Sequence, residues 1–341
     1  MNSFSYNRAQ EVFAAVEEVE NNPRAKFIAG GTNLLDLMKE NVMHPTHLVD
    51  INQLPLATIE DNEEGGLRLG ALVTNADTAY HGEVQKRYPL LAKAILAGAS
   101  PQLRNMATNG GNLMQRTRCY YFYDTATPCN KREPGTGCSA LNGYNRIHAI
   151  LGASESCIAT HPSDMCVALA ALDAVVRVKG KFGERIIPFA DFHRLPGDKP
   201  HIDNNLQPDE LMTGIDLPAK GFVEHNAYLK LRDRNSYAFA LVSVAVGLEM
   251  EGDIITDARL ALGGVAHKPW RNQEAENQLK GQPATEAVFR QVAETVIKGA
   301  VGYEHNAFKI LLAQRAIVRT LQEAARGTGN HWLSNGIVKN I

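Results

Sequence analysis

The sequence lacks an excess of either charge. It has 35 lysine and arginine residues against 37 aspartate and glutamate residues, which gives a formal net charge of -2 over 341 residues. This balance provides no general attraction to the phosphates of nucleic acids or to anionic membrane surfaces. We therefore expect neither nucleic acid nor a membrane surface to be a primary partner.

Long apolar runs are also missing. No stretch approaches the roughly 20 apolar residues that a membrane-spanning helix needs, and residues 1–8 contain no apolar segment behind a basic start. We expect no membrane insertion and no signal peptide of the chain's own. A folded complex can be exported on the signal of a partner chain, so periplasmic residence within such a complex and cytoplasmic residence are both compatible with this sequence.

Two common nucleotide-binding motifs are absent. The sequence has no GxxxxGK[ST] phosphate loop, and its one match to the dinucleotide fingerprint begins at Gly135. That match follows Lys131-Arg132-Glu133-Pro134 rather than a strand, and we interpret it as accidental. A nicotinamide-dependent dehydrogenase is therefore disfavoured.

The N-terminal region shows the pattern of a strand, a tight loop and a helix. The apolar run Lys26 to Ala29 ends in Gly30-Gly31, and leucines at helical spacing follow. Thr32 or Asn33 can cap this helix. With a second short strand over residues 47–51, the pattern predicts a small βαβ unit with parallel pairing.

The remaining periodicities predict an α+β chain. Between residues 100 and 156 the periodicity is weak and loop-forming residues are frequent, which indicates an ordered functional segment. Ser163 is a good N-cap, and a break is predicted at residues 218–222. Strands are predicted over residues 67–73, 174–178, 185–189, 212–217, 228–231, 241–250 and 254–262, and helices over 88–98, 163–171, 284–298 and 307–325.

Two glycine-asparagine loops could bind a dinucleotide. Two phosphates need several backbone N–H donors at close range, and glycines at a strand-to-helix turn allow that approach while the helix N-terminus adds a favourable dipole. The loop from Ala29 to Leu35 meets this demand, and the loop from Thr108 to Leu113 repeats its chemistry. Either loop alone could be an ordinary turn with an asparagine cap. Together they favour a clamp on a pyrophosphate and a ribityl chain.

Four of the five cysteines lie within 39 residues: Cys119, Cys129, Cys138 and Cys157. Their spacing lacks the C-x2-C pairs of common zinc sites, and disulfides suit small secreted scaffolds better than a chain of this size. An iron-sulfur cluster fits a long polar loop that supplies four thiolates. Zinc and unliganded thiols remain alternatives. Cys166 stands in an apolar helical segment and is interpreted as a small buried thiol.

Four segments occur in an order that resembles the FAD subunits of molybdenum hydroxylases, a family that includes xanthine dehydrogenase, carbon monoxide dehydrogenase and 4-hydroxybenzoyl-CoA reductase. These segments are residues 26–34, 69–74, 104–112 and 263–266. The resemblance covers almost the whole chain and is greatest to the subunits of bacterial periplasmic aldehyde oxidoreductases. It therefore implies periplasmic residence as part of a co-exported folded complex, with cytoplasmic residence as the alternative.

The resemblance implies a specific domain organisation. A two-part, vanillyl-alcohol-oxidase-like FAD-binding domain is expected over residues 1–218, divided into a small βαβ subdomain (1–55) and a second subdomain (56–218). A C-terminal domain of the carbon monoxide dehydrogenase flavoprotein type, built of antiparallel sheet and helices, is expected over 222–326, followed by a tail over 327–341.

The resemblance also implies the residues that bind FAD. Asp164 matches a carboxylate that bonds FAD hydroxyls, and Lys230 matches a lysine near the flavin ring. From the residues alone, Asp164 could instead be a first-turn helix acid and Lys230 a solvated strand lysine. The full implied set is Lys26, Phe27, Ile28, Ala29, Gly30, Gly31, Thr32, Asn33, Leu34, Leu35, Ala107, Thr108, Gly111, Asn112, Met114, Asp164 and Lys230.

The chain departs from most of the family in two places. Residues 115–160 form an insertion that holds the four clustered cysteines and resembles the flavoprotein subunit of 4-hydroxybenzoyl-CoA reductase, which carries a 4Fe-4S cluster there. The resemblance thus implies that these cysteines bind such a cluster. Ala238 stands where relatives often have an acid, which leaves Tyr237 or Phe239 to shape access to the flavin.

The function implied is that of an electron relay. A partner molybdenum-cofactor subunit would oxidise an aldehyde or a related heterocycle, a 2Fe-2S subunit would pass on the electrons, and FAD on this chain would deliver them to an external acceptor. A stand-alone FAD-dependent oxidase or dehydrogenase is one alternative, but no histidine or glutamate is a convincing base for it. A non-enzymatic scaffold with a structural zinc loop is another.

Overall fold

The computed structural model describes residues 1–327. The strands are β1 Ser5–Arg8, β2 Ala25–Ile28, β3 His47–Asp50, β4 Ile59–Asp61, β5 Leu67–Gly70, β6 Val175–Gly180, β7 Gly183–Pro188, β8 Leu211–Asp216, β9 His225–Leu231, β10 Val242–Glu251, β11 Ile254–Gly263 and β12 Trp270–Arg271. The helices are α1 Val12–Glu20, α2 Leu34–Lys39, α3 Asn75–Tyr80, α4 Gly82–Arg87, α5 Pro89–Ala97, α6 Pro101–Arg104, α7 Asn109–Leu113, α8 Tyr120–Tyr123, α9 Asp164–Ala171, α10 Phe189–Phe192, α11 Gln273–Leu279, α12 Glu286–Val296 and α13 Phe308–Ala325.

The N-terminal sheet is parallel and has the strand order β1-β3-β2. The parallel pairing of β2 with β3 around α2 confirms the βαβ prediction. The preceding pair, β1 and α1, was not predicted. All four residues of β1 are exposed, so this strand lacks the apolar alternation that would indicate it.

The second sheet has five antiparallel strands in the order β4-β5-β8-β6-β7. Strand β8 returns from far along the chain to lie between β5 and β6. The predicted helix α9 and the hairpin of β6 and β7 are both present, and Ser163 caps α9 by accepting a hydrogen bond from the backbone N–H of Cys166 at 3.0 Å. Leu69, Val176 and Ile215 from this sheet are fully buried and pack against α5 and α9.

The C-terminal sheet is antiparallel, with the order β12-β11-β10-β9, and α11, α12 and α13 cover it. Val244 and Leu262 of the sheet share a core with Phe289 and Ile317 of the helices. This arrangement confirms the predicted α+β class and the antiparallel sheet with helices. Apart from Gly327, the predicted tail lies outside the described residues.

Residues 115–160 contain one four-residue helix, α8, and otherwise turns and isolated bridges. They are nonetheless anchored to the C-terminal half of the chain, because Ile150 and Leu151 belong to the C-terminal core. Among residues 1–327, no helix has both the length and the apolar character that crossing a bilayer requires.

Candidate cofactor site

The first glycine loop touches the backbone that immediately precedes the second loop. A Cβ added to Gly30 would lie 1.8 Å from the carbonyl oxygen of Met106, so only glycine fits this contact. Gly31 has a φ of 71°, a left-handed conformation that glycine adopts without strain. These two residues therefore let the first loop turn tightly and lie directly against the chain that leads into the second.

The first loop has free backbone donors. In the described part of the chain, no group accepts from the backbone N–H groups of residues 30–34, and each of these residues is only half-buried. Asn33, one of the two residues predicted to cap α2, stands at its N-cap position, but its side chain makes no capping hydrogen bond. Its Oδ1 instead accepts from the backbone N–H of Arg116 at 3.0 Å, and its Nδ2 is buried without a partner among residues 1–327. Free donors beside an orphaned amide fit an anionic ligand.

The second loop is built differently. Thr108 caps α7 by accepting from the backbone N–H of Gly111 at 3.2 Å, and the N–H groups of Asn109 and Gly110 donate to carbonyls of the chain. Its backbone donors are thus largely used within the protein. The side chain of Asn112 donates to Asn75 at 2.7 Å and accepts from Ser163 at 2.5 Å. The two loops are neighbours but not equivalent, and the second links the first to the start of α9.

A buried ion pair joins the N-terminal half of the chain to the C-terminal sheet. The Asp164 carboxylate begins α9 and accepts from Lys230 Nζ at 2.7 Å and from Tyr228 Oη at 2.6 Å. The Lys230 side chain is 4% exposed, so its interpretation as a solvated lysine is wrong. Burial and the neighbouring carboxylate raise the pKa of Tyr228 well above its usual value, which keeps its hydroxyl a donor.

Tyr228 was missed by the sequence analysis, although a signal existed. Residues two apart on a strand point to the same face of the sheet. Tyr228 and Lys230 therefore have to lie on one face and meet the same neighbouring residues.

A cavity opens beside Asp164. Arg118, His161, Ser163, Phe239 and Gly264 contribute to its walls. Both ring nitrogens of His161 are buried and have no hydrogen-bond partner among the described residues, and burial lowers its pKa well below the usual value. The ring is therefore a neutral imidazole, and one of its nitrogens lies within 4.8 Å of Cys166 Sγ and of a ring nitrogen of His193. Phe239 is one of the two residues, with Tyr237, that are expected from the sequence to shape access to the flavin.

The structure brings most of the predicted FAD-binding residues into one contact chain, from the first loop through the second loop to Asp164 and Lys230. Lys26 lies at the near end, where burial and then Arg116 lower its pKa. The residues in the first loop and its flanks are Lys26, Phe27, Ile28, Ala29, Gly30, Gly31, Thr32, Asn33, Leu34 and Leu35, and those in and around the second are Ala107, Thr108, Gly111, Asn112 and Met114. Whether each one contacts FAD stays a prediction.

The four clustered cysteines line one pocket, and all of them are free thiols. Cys119, Cys129 and Cys157 are buried and Cys138 is half-buried. Burial raises the pKa of the Cys119 thiol to about 12 and that of Cys157 to about 11, the latter opposed by the charge of Lys131. These thiols are therefore protonated when the pocket is empty of metal, and ligation has to release their protons.

The four sulfurs do not form a compact set of ligands in the described structure. Within residues 1–327, no three of the four sulfurs come within 4.8 Å of one another. Zinc–sulfur bonds of about 2.3 Å place tetrahedral ligands less than about 4 Å apart. An iron-sulfur cluster separates its thiolates more widely, because iron and sulfide lie between them. His148 adds a further contact, with Nε2 at 3.0 Å from the sulfur of Cys119.

Cys166 is fully buried in α9, in agreement with its interpretation as a buried thiol. It lies away from the four-cysteine pocket and next to the imidazoles of His161 and His193.

A parallel βαβ unit, a glycine loop with free donors and a polar cavity shared with a C-terminal antiparallel sheet form the kind of site that a dinucleotide cofactor needs. Residues 2–220 match the FAD binding domain in molybdopterin dehydrogenase, and residues 226–324 match the CO dehydrogenase flavoprotein C-terminal domain. The chain belongs to the FAD-binding subunits of the molybdopterin dehydrogenases, which confirms the resemblance and makes it an oxidoreductase component.

Individual relatives cover nearly the whole chain. It is 52% identical to the aldehyde oxidoreductase FAD-binding subunit PaoB of Escherichia coli K12, over 95% of this chain and 99% of that protein. It is 27% identical to the glyceraldehyde dehydrogenase medium chain of Sulfolobus acidocaldarius, over 86% of each. A solved carbon monoxide dehydrogenase from Hydrogenophaga pseudoflava superposes with a TM-score of 0.74 at 26% identity, covering 95% of this chain and 97% of that one.

Proposed function

We propose that this chain is the flavin subunit of an aldehyde-oxidising molybdenum complex. It would receive electrons from a molybdenum-cofactor catalytic subunit through a 2Fe-2S subunit and pass them to an external acceptor. Two relatives whose names specify aldehyde substrates support the substrate class. The observation that carries the proposal is the contact chain from the free donors of residues 30–34 to the buried pair of Asp164 and Lys230.

The chain's own residues would bind and orient FAD. The free N–H groups and the unpartnered Asn33 amide would hold the pyrophosphate, as oriented donors do for phosphates elsewhere. Asp164 keeps lone pairs for ligand hydroxyls, since Lys230 and Tyr228 each use only one position on its two oxygens. When bound, FAD supplies the redox chemistry, accepting electrons singly and releasing them in pairs.

We further propose that Cys119, Cys129, Cys138 and Cys157 bind a 4Fe-4S cluster. Two observations support this assignment over zinc: the four cysteines share one buried pocket, and no three of their sulfurs lie within 4.8 Å of one another among the described residues. The protein would supply four thiolates, a largely dry surrounding and a contact from His148 to Cys119. Iron and acid-labile sulfide analysis of the anaerobically purified chain tests this part, with about four iron atoms per chain expected.

Anaerobic reconstitution tests the relay. The partner subunits without this chain should reduce their molybdenum with aldehyde but fail to reduce the acceptor, and adding the chain should restore acceptor turnover. Full turnover in its absence contradicts the proposal. Bleaching of the isolated chain's flavin by aldehyde, with no partner present, would instead support a stand-alone flavin enzyme.

A further inference from the structure

A buried lysine forms part of the wall of the cysteine pocket. Lys131 stands two residues after Cys129, its side chain is 1% exposed, and it borders the same cavity as the four cysteines. Lysines are almost never fully buried without a partner, because an ammonium loses its hydration there at considerable cost. The position therefore requires compensation from nearby groups.

That compensation comes from one carboxylate and one carbonyl. Lys131 Nζ donates to Asp203 Oδ1 at 2.5 Å and to the carbonyl oxygen of Pro200 at 2.6 Å. The second carboxylate oxygen, Asp203 Oδ2, accepts from Arg116 Nε at 2.6 Å. His267 Nε2 lies 3.3 Å from the same carboxylate, and burial lowers its pKa, so this imidazole is neutral at pH 7.

The group as a whole carries an excess of positive charge. Two cations, Lys131 and Arg116, share the single carboxylate of Asp203. Of the two, Lys131 is the one that lines the cysteine pocket. In a buried, weakly screened position, a full charge at short range acts strongly on any neighbouring change in charge.

We propose that Lys131 sets the reduction potential of the 4Fe-4S cluster upward and that Asp203 moderates this effect, an inference that rests on the cluster assigned under the proposed function. Gaining one electron adds one negative charge to the pocket. The Lys131 ammonium stabilises that added charge, and the Asp203 carboxylate opposes it. Net charge and hydrogen bonding around iron-sulfur clusters are known determinants of their potentials.

The same carboxylate also connects the cluster pocket to the flavin loops. Arg116, which it binds, donates its backbone N–H to Asn33 in the first loop. The three linked residues Lys131, Asp203 and Arg116 thus extend from the wall of the cysteine pocket to the loop proposed to hold FAD. Asp203 is therefore a positioning residue for Arg116 as well as an electrostatic partner of Lys131.

Redox titration of the assembled complex, monitored by the electron paramagnetic resonance of the reduced 4Fe-4S cluster, tests the inference. Lys131→Met should lower the midpoint potential and Asp203→Asn should raise it, whereas Lys131→Arg, which keeps the charge, should stay near the wild type. Lys220→Met, which removes a half-exposed lysine remote from the pocket, serves as the control and should have no effect.

The opposite signs separate electrostatics from damage, because a loosened pocket would shift both variants in the same direction. Shifts of the same sign, or no shift in either variant, overturn the inference. If the Lys131→Met chain loses its cluster, the test rests on Asp203→Asn. A midpoint potential of Asp203→Asn at or below that of the wild type then overturns the inference. Absence of iron from the wild-type chain would instead refute the cluster itself, which is a separate failure.

Discussion

Replacement of Gly30 by alanine should weaken FAD binding by separating the two loops. The new Cβ would stand 1.8 Å from the carbonyl oxygen of Met106, whereas real Cβ atoms essentially never come within 3.0 Å of such an atom. The obstacle is backbone, so no side-chain rotation can relieve it. One loop therefore has to withdraw from the other by about 1 Å.

The magnitude follows from that displacement. Overpacking of this kind costs about 1–3 kcal/mol, and a hydrogen bond stretched by about 1 Å passes beyond the useful range of donor–acceptor distances. If the cost falls on the holo form, in which both loops have to meet the ligand, the affinity for FAD drops by about 5- to 150-fold, since 1.4 kcal/mol corresponds to a factor of ten.

The assay is FAD titration of the apoprotein, followed by quenching of flavin fluorescence, together with the FAD content of the chain as purified. Gly82→Ala is the matched control, because a Cβ at Gly82 would meet nothing within 4 Å. Gly82 is the first residue of helix α4. An affinity of Gly30→Ala equal to that of Gly82→Ala would refute the idea that contact between the loops supports FAD binding.

Three other variants should give clear results. Lys230→Met leaves the Asp164 carboxylate without its buried cation and should destabilise the chain by about 3–5 kcal/mol in urea denaturation; a loss no greater than that of Lys220→Met would contradict this. Cys129→Ser should lose iron while Cys166→Ser keeps it, as measured by metal analysis, and iron retention in the former would exclude Cys129 as a ligand. Burial holds the pKa of His193 at about 4 in the folded chain, below its usual 6.5, so its contribution to stability is present above pH 6.5 and lost as the pH falls toward 4. Between pH 6.5 and pH 4, the free energy of unfolding of His193→Phe should therefore fall by about 3 kcal/mol less than that of the wild type. An unchanged pH dependence would show that this imidazole is not neutral in the fold.

The parts of the fold that depend on local signals could be predicted. The strand before Gly30, the cap at Ser163 and the hairpin of β6 and β7 each come from residues close together in sequence. Strand β1 could not be predicted, because its four residues are exposed and become a strand by pairing with β3, about 40 residues later. Its pairing is a tertiary effect that no short window contains.

The candidate site divides in the same way. Both glycine loops and the four cysteines were identified from residue type and spacing. The contact of Gly30 with Met106 and the pairing of Lys230 with Asp164 join segments more than 60 residues apart, so the geometry of the site was beyond local reasoning. The burial of Lys131 was equally hidden, because its sequence neighbours Asn130 and Arg132 are polar and indicate an exposed turn.

The anchoring of the cysteine segment by helix α13 has a consequence for the order in which the protein is made. Lys309 of α13 is completely buried and donates to the carbonyl oxygens of His148 at 2.7 Å and Gly264 at 2.6 Å. These bonds hold the backbone beside Cys119, yet Lys309 is synthesised 161 residues after His148. A nascent chain on the ribosome thus exposes its four thiols before it can shape their pocket. Metal delivered during translation would meet a flexible segment, whereas metal delivered after release would meet a finished one.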